Sequence, residues 1–164
     1  MANARFSIAP AYYTGSEVTP EVTVTHSGKT LVKDRDFTVT YHNNIEPSSY
    51  YNSPWVGIDG IGNYQGYVTK SFTINRADIS SCTVTLSDES LTYTGSSLHP
   101  TATVKSGDKE LTLNQDYYVS YRNNWDAGTA SAILTGTGNY TGSVTKDFLS
   151  LIHISEPTRH SLIS

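Results

Sequence analysis

Residues 36–44 read DFTVTYHNN, and residues 116–124 read DYYVSYRNN. In both stretches apolar and polar side chains alternate, so every second residue can face an interior while its neighbours face water. This period of two is typical of a half-buried β-strand. The paired asparagines that follow fit a tight turn, because Asn tolerates the left-handed backbone region. The stretch therefore predicts one strand and one turn, built twice.

The repeat extends well beyond this strand. The offset between the copies is 80 residues up to Asn44 and falls to 76 residues from Gly60 onward, so the first copy holds four extra residues between these two positions. Self-similarity at a fixed period is the signature of tandem modules. The matched segments include Tyr13-Thr14-Gly15 with Tyr93-Thr94-Gly95, and Gly62-Asn63-Tyr64 with Gly138-Asn139-Tyr140.

Each copy shows about six or seven short alternating segments at hairpin spacing, and no window shows the 3.6-residue period of an amphipathic helix. We therefore predict an all-β fold of two tandem β-sandwich modules. The first spans residues 1–76, with an N-terminal strand open to truncation, and the second spans residues 77–148. The junction at 75–78 is short and polar, which predicts a semi-extended arrangement. Further turns are predicted at Ser27-Gly28, Ser106-Gly107, Gly62-Asn63 and Gly138-Asn139.

Composition excludes several classes of partner. The formal net charge is −4, and the Lys and Arg residues are scattered, whereas nucleic-acid binding needs a dense basic face. No apolar run approaches the roughly 20 residues of a membrane-spanning helix. We therefore expect neither nucleic-acid binding nor membrane insertion. The single cysteine, Cys82, allows no internal disulfide, and residues 1–15 lack the apolar core of a signal peptide. The chain is either cytosolic or an internal fragment of an exported protein, and the repeat favours the fragment.

The combined motif resembles a known repeat. Tyr-Thr-Gly, Gly-Lys-x-Leu, Asp-Phe/Tyr-x-Val-x-Tyr, Asn-Asn, Gly-x-Gly-Asn-Tyr-x-Gly and Val-Thr-Lys-x-Phe occur in this order over residues 12–148. They are similar to an Ig-like repeat found in large surface proteins of Gram-positive gut bacteria. The resemblance implies a β-sandwich without catalytic residues. It also implies an extracellular location, with attachment to the cell wall through parts of the parent protein outside this chain, and neighbouring repeats as partners. The first copy departs from the pattern at residues 45–54.

The last residues do not continue the repeat. After Phe148 the second copy reads LSLIHISEPTR, residues 149–159, where the first copy continues Thr73-Ile74. All eleven residues fit the translation of a transposon adapter that is used to prepare DNA sequencing libraries. We therefore interpret residues 149–164 as a non-native tail. The alternative is a native last strand with a polar end. Residues 149–154 are apolar enough to pair with a sheet edge by accident.

Metal and catalytic chemistry find little support in the sequence. His26, His42 and His99 lie in different segments without Cys or His at ligand spacing, and His153 and His160 lie in the tail. Asp36 and Asp116 occupy matching positions, where calcium binding competes with the capping of a turn by the Asp side chain. We favour the turn, because no second acidic cluster accompanies either residue. With no Gly-x-Ser-x-Gly elbow either, we expect no enzyme activity, no metal and no cofactor.

Lysines raise one covalent possibility. Lys29, Lys70, Lys109 and Lys146 recur in both copies, and paired asparagines are present. Surface sandwiches of this kind sometimes carry a Lys–Asn isopeptide cross-link beside an acid, which would lower the intact mass by one ammonia per module.

Two functions therefore compete. The chain is a non-catalytic spacer or adhesive stalk of a bacterial surface protein, or it binds a glycan or host protein through exposed aromatic side chains. For the second function, Tyr50, Tyr51 and Trp55 are the preferred contacts, because they lie in the departing loop of the first copy. Trp125 in the second copy and Tyr67 in the first are further aromatic side chains that could stack on a sugar ring.

Overall fold

The computed structural model describes residues 1–152. The chain divides into two compact units, Met1–Ala77 and a second that begins at Asp78. Within the described residues there is no α-helix, and one 3-10 turn spans Ile79–Ser81. The predicted all-β class is confirmed.

The first unit contains two three-stranded antiparallel sheets and one parallel pair. One sheet has the order β1-β3-β4 and the other has the order β5-β6-β7, while β2 and β8 pair in parallel. The five residues of β1 pair with all five residues of β3. The strands are β1 (Ala4–Ile8), β2 (Ala11–Tyr12), β3 (Val22–His26), β4 (Lys29–Thr30), β5 (Phe37–His42), β6 (Trp55–Gly60), β7 (Tyr67–Ser71) and β8 (Ile74–Asn75).

The second unit repeats this arrangement, with longer strands at β15 and β17. Its sheets have the orders β10-β12-β13 and β11-β17-β15-β14, and β11 pairs with β17 in parallel. The single strand β17 covers the positions of both β7 and β8. The strand β9 (Ala77–Asp78) lies at the boundary of the units, and the others are β10 (Thr83–Leu86), β11 (Ser90–Thr92), β12 (Ala102–Ser106), β13 (Lys109–Glu110), β14 (Tyr117–Arg122), β15 (Gly128–Gly136), β16 (Tyr140–Thr141) and β17 (Ser143–Leu151).

Each unit fills its own interior with alternate side chains, in a β-sandwich-like manner. Val24 of β3 and Ile58 of β6 are fully buried in the first unit, as are Val104 of β12 and Leu134 of β15 in the second. Each of these residues comes from a different sheet of its unit, so both sheets contribute to the interior.

Two side-chain hydrogen bonds recur at matching positions within each unit. The Tyr41 hydroxyl donates to the Pro20 carbonyl over 2.7 Å, and the Tyr121 hydroxyl donates to its counterpart, Pro100, over the same distance. The Asn44 amide likewise donates to a backbone carbonyl across its unit, as does Asn124. These bonds satisfy polar groups that would otherwise be buried without partners, which explains why the Tyr and Asn positions recur.

The turns follow the expected residues with one difference. Ser27 and Gly28 both have positive φ, which suits a two-residue hairpin between His26 and Lys29. In the second unit the register pairs Ser106 with Lys109, so the turn residues are 107 and 108 rather than the predicted Ser106-Gly107. Of these two only Gly107 has positive φ, as a type II′ turn requires. The glycine is thus the first residue of this turn, whereas it is the second residue of the turn in the first unit, and the turn type differs accordingly.

The buried polar side chains come in matched pairs, except one. Asp36 and Asn44 match Asp116 and Asn124, whereas Ser150 stands where the first unit has Ile74. Both Ser150 and Ile74 are 1% exposed. The Ser150 hydroxyl has no hydrogen-bond partner among residues 1–152. The last strand therefore places a polar group where the first unit buries an apolar one.

The residues around Ser150 show the opposite mismatch. Leu149 and Leu151 are exposed, at positions that hold Thr73 and Asn75 in the first unit. Residues 149–151 still pair with β11, and Leu149 and Ser150 also pair with β15. The segment therefore pairs as a strand, but it buries a serine and exposes two leucines, whereas the first unit buries an isoleucine and exposes two polar residues. The rest of the proposed tail, residues 153–164, lies outside the described residues.

Candidate functional site

The four extra residues of the first copy form a separate turn. In the second unit, Gly128 opens β15 opposite Ser150 of β17. In the first unit, Ser48 occupies this place, because its N–H donates to the Ile74 carbonyl over 2.9 Å and its Oγ accepts from the Ile74 N–H. Since Ser48 matches Gly128 and Pro54 matches Ala130, the insertion is Ser49–Asn52.

Hydrogen bonds close this turn from both sides. The Ser49 N–H donates to the Asn52 carbonyl over 2.9 Å, and the Ser49 hydroxyl oxygen accepts from the Asn52 N–H over 3.1 Å. The Asn52 amide donates to the Glu46 carbonyl over 2.8 Å, with longer bonds to the carbonyls of Asn43 and Pro47. The turn is therefore fixed to its own loop by side-chain amide and hydroxyl groups.

Two tyrosines occupy the tip of the turn. Tyr50 is 95% exposed and Tyr51 is 94% exposed. Their ring centres lie 5.0 Å apart with an interplanar angle of 86°, which is the edge-to-face geometry that aromatic pairs favour. Both rings thus project into solvent, and their main packing contact is with each other.

Trp55 has a different environment. It opens β6 directly opposite His42 of β5, and the two rings stack with centres 3.9 Å apart and an interplanar angle of 12°. One face of the indole is therefore covered, and the side chain is half-buried. The sequence groups Trp55 with Tyr50 and Tyr51, whereas the structure makes it part of a cross-strand pair.

Trp125 is 66% exposed and belongs to the second unit, at the position of Ile45 in the first. It is a single exposed aromatic residue without an inserted turn beside it. The four predicted contact residues therefore do not form one set: Tyr50 and Tyr51 form a pair, Trp55 supports the sheet next to their loop, and Trp125 stands in the other unit.

The Tyr67 side chain covers Gly57 of β6. A Cβ at Gly57 would overlap the Tyr67 hydroxyl and lie 2.7 Å from the Thr40 hydroxyl oxygen. In the second unit the matching positions hold Ile133 and Ser143. The first unit therefore places the small residue on β6 and the large one on β7, and the second unit places the large residue on β15 and the small one on β17. Alignment of the two copies shows this exchange. Tyr67 is therefore accounted for by packing on its own sheet.

Asp36 and Asp116 cap their own turns, which confirms the preferred interpretation. Asp36 accepts from the Val32 N–H over 2.8 Å, and Asp116 accepts from the Thr112 N–H over the same distance. Arg35 donates to Asp36 through both Nε and Nη2. The hydrogen bond from Arg35, with that from Val32, lowers the pKa of Asp36 from 3.8 to about 2. A carboxylate with these partners is held as an anion by its own loop.

The described histidines each contact a different aromatic ring. His26 meets Tyr64, His42 meets Trp55, and His99 meets Tyr121. Across residues 1–152 no three His, Cys, Asp or Glu side chains converge as a metal site would require. His153 and His160 lie outside the described residues.

Lys29, Lys70, Lys109 and Lys146 are all exposed, and the Lys70 amine lies 5.4 Å from the Phe6 ring centre. An amine attacks an amide only when it is neutral, and burial is what favours the neutral form. The environment of these lysines therefore does not favour the isopeptide hypothesis.

The chain matches no protein-family model, no curated protein and no solved structure. In the described part of the chain, no helix combines the length and the apolar character needed to cross a bilayer.

Proposed function

We propose that this chain is a pair of non-catalytic spacer repeats from a longer bacterial cell-surface protein, located outside the cell and attached to the wall through other parts of that protein. The observation that carries the proposal is the repetition itself. Both units bury most of the same positions and have the same Tyr-to-Pro and Asn-to-backbone hydrogen bonds, so the repeated features serve folding. Repetition of a self-contained module adds length to a protein, which is what a spacer requires.

The location rests on the resemblance of residues 12–148 to surface repeats. The first test is therefore to recover the gene that encodes these residues and to delete one copy from its full-length product. A spacer predicts a shorter reach from the cell surface with unchanged binding by the remaining domains. Loss of that binding, or a product retained in the cytosol, would contradict the proposal.

Pulling on the chain tests the mechanical side of the same proposal. Each unit should resist force separately and release a contour length of about 25 nm, since an extended residue spans about 3.3–3.6 Å. A single event that releases the whole chain, or extension without resistance, would argue against a spacer.

We further propose that residues 149–164 are not native to the repeat. The support is the inverted polarity of residues 149–151, with a buried Ser150 hydroxyl and two exposed leucines. The same gene recovery tests this, because the native sequence should continue with a small polar residue at 149 and an apolar residue at 150.

A further inference from the structure

The Ser49–Asn52 turn adds something that the fold does not need. The second unit closes the same strands with Gly128 and lacks these four residues. Both tyrosines of the turn are almost fully exposed, so they contribute little to the interior of the first unit. A spacer function explains the shared features of the two units but leaves this difference unexplained.

The amino-acid composition and the hydrogen bonds of the turn both suit a binding loop. Between Pro47 and Pro54 the loop contains only Ser, Tyr and Asn. These residue types are enriched in the binding loops of antibodies, because Tyr offers a large rigid surface at low entropic cost while Ser and Asn supply hydrogen bonds. The bonds from the Asn52 amide fix the loop before any ligand arrives, which reduces the cost of ordering it on binding.

The size of the tyrosine surface selects the kind of ligand. An aromatic side chain can bury about 150–250 Å², so the pair offers on the order of 400 Å². A specific protein interface needs about 800 Å² from each partner. The tyrosine tip is therefore too small for a stable protein complex and matches a ligand of a few sugar rings.

The charge around the turn further limits the class of ligand that it can bind. Glu46 is the only ionisable acid or base among residues 43–54 apart from the tyrosine hydroxyls. An anionic ligand would therefore meet no positive charge in this loop to replace its lost hydration. A neutral pyranose has an apolar C–H face and a rim of hydroxyls, which suits a tyrosine ring with an apolar face and a polar tip.

We propose that the Tyr50–Tyr51 turn of the first unit binds a neutral oligosaccharide, with sugar C–H faces packed on the tyrosine rings. Loop hydroxyl and amide groups hydrogen-bond to the sugar hydroxyls. Trp55 supports the loop by stacking on His42 and makes no primary contact. The second unit does not bind, because it lacks the inserted turn. This function is additional to spacing and does not depend on it.

The test uses the whole chain on an array that holds neutral, sialylated and sulfated oligosaccharides, with each hit repeated by calorimetry in solution. Wild type should bind neutral glycans, and the Tyr50→Ala/Tyr51→Ala double variant should lose at least about tenfold in affinity. Deletion of residues 49–52, which gives the loop length of the second unit, should have the same effect. Trp125→Ala is the matched control and should leave binding within about twofold.

Circular dichroism and thermal unfolding of each variant establish that the fold is retained, which the exposure of both rings favours. The proposal is overturned if wild type binds no neutral glycan, or if binding survives the double substitution in a folded protein. It is equally overturned if Trp125→Ala removes binding as strongly, or if only acidic glycans are retained.

Discussion

Replacement of Ser150 by an apolar residue should stabilise the second unit. The Ser150 side chain is buried and its hydroxyl lacks a partner among the described residues. A buried unsatisfied polar group costs about 1–3 kcal/mol. Ser150→Ala removes only the hydroxyl, so we expect a gain of about 1 kcal/mol in the free energy of unfolding of this unit.

Ser150→Ile installs the residue that the first unit uses at the same position, Ile74. Relative to Ala it adds three carbons, worth about 0.8 kcal/mol each when buried. Overpacking can cost about 1–3 kcal/mol, because the opposing residue is Leu91 where the first unit has the smaller Ala11. When the lost hydroxyl, the three added carbons and the overpacking are taken together, we expect Ser150→Ile to give a net gain of about 0.5–2.5 kcal/mol.

The reciprocal substitution provides the control. Ile74→Ser should destabilise the first unit by at least about 3 kcal/mol, since it removes a buried aliphatic side chain and buries a hydroxyl. Residue-resolved amide hydrogen exchange separates the two units, because the slowest amides report the global unfolding of the unit that contains them. The reporters are Ala132 and Leu134 in the second unit and Val56 and Ile58 in the first.

Faster exchange at Leu134 in both Ser150→Ala and Ser150→Ile would contradict this prediction. That result would mean that the hydroxyl has a stabilising partner and that residues 149–151 are adapted to their place. It would also remove the structural support for a non-native tail.

Two further predictions concern single polar contacts. Tyr41→Phe and Tyr121→Phe each remove a hydroxyl that donates to a proline carbonyl over 2.7 Å. Each substitution should lower the free energy of unfolding of its own unit by about 1 kcal/mol, as measured by amide exchange. Unequal losses would mean that the two repeated contacts are not equivalent. The pKa of Asp36 is lowered to about 2, so the folded state keeps the anion where the unfolded chain, with its ordinary pKa of 3.8, is already protonated. Stability from Asp36 is therefore present above pH of about 4 and is lost as the pH falls to about 2. Thermal unfolding measured from about pH 4 to about pH 2 should show this loss of stability, and Asp36→Asn should make the stability less dependent on pH. An unchanged pH dependence in Asp36→Asn would contradict the lowered pKa of Asp36.

The repeated strands could be predicted from sequence because their information is local. Alternation in residues 36–44 marks β5, and a positive φ at Asn43 follows from the tolerance of Asn for that region. The comparison of the copies also located the insertion within residues 45–54. The hydrogen-bonded turn itself was not predictable, since it depends on the reach of the Asn52 amide to three carbonyls.

Other features depend on register, which the sequence leaves open. The stacking of His42 on Trp55 follows from the pairing of β5 with β6, and a shift by one residue would have placed the indole on the opposite face of the sheet, away from His42. The parallel pairing of β2 with β8 joins strands of two residues each, too short to show any period. The coverage of Gly57 by Tyr67 could have been inferred from the exchanged sizes at Ile133 and Ser143, but only with the strands already aligned.

The central claim is that the chain folds as two units, each with its own interior. Hydrogen exchange of the intact chain carrying Ile58→Ala tests it most directly, because Ile58 is fully buried in the first unit and its truncation should cost about 2–5 kcal/mol. Exchange should become faster in residues 1–77, while protection at Ala132 and Leu134 stays unchanged. An equal loss of protection from residue 78 onward would instead show that the two units share one interior.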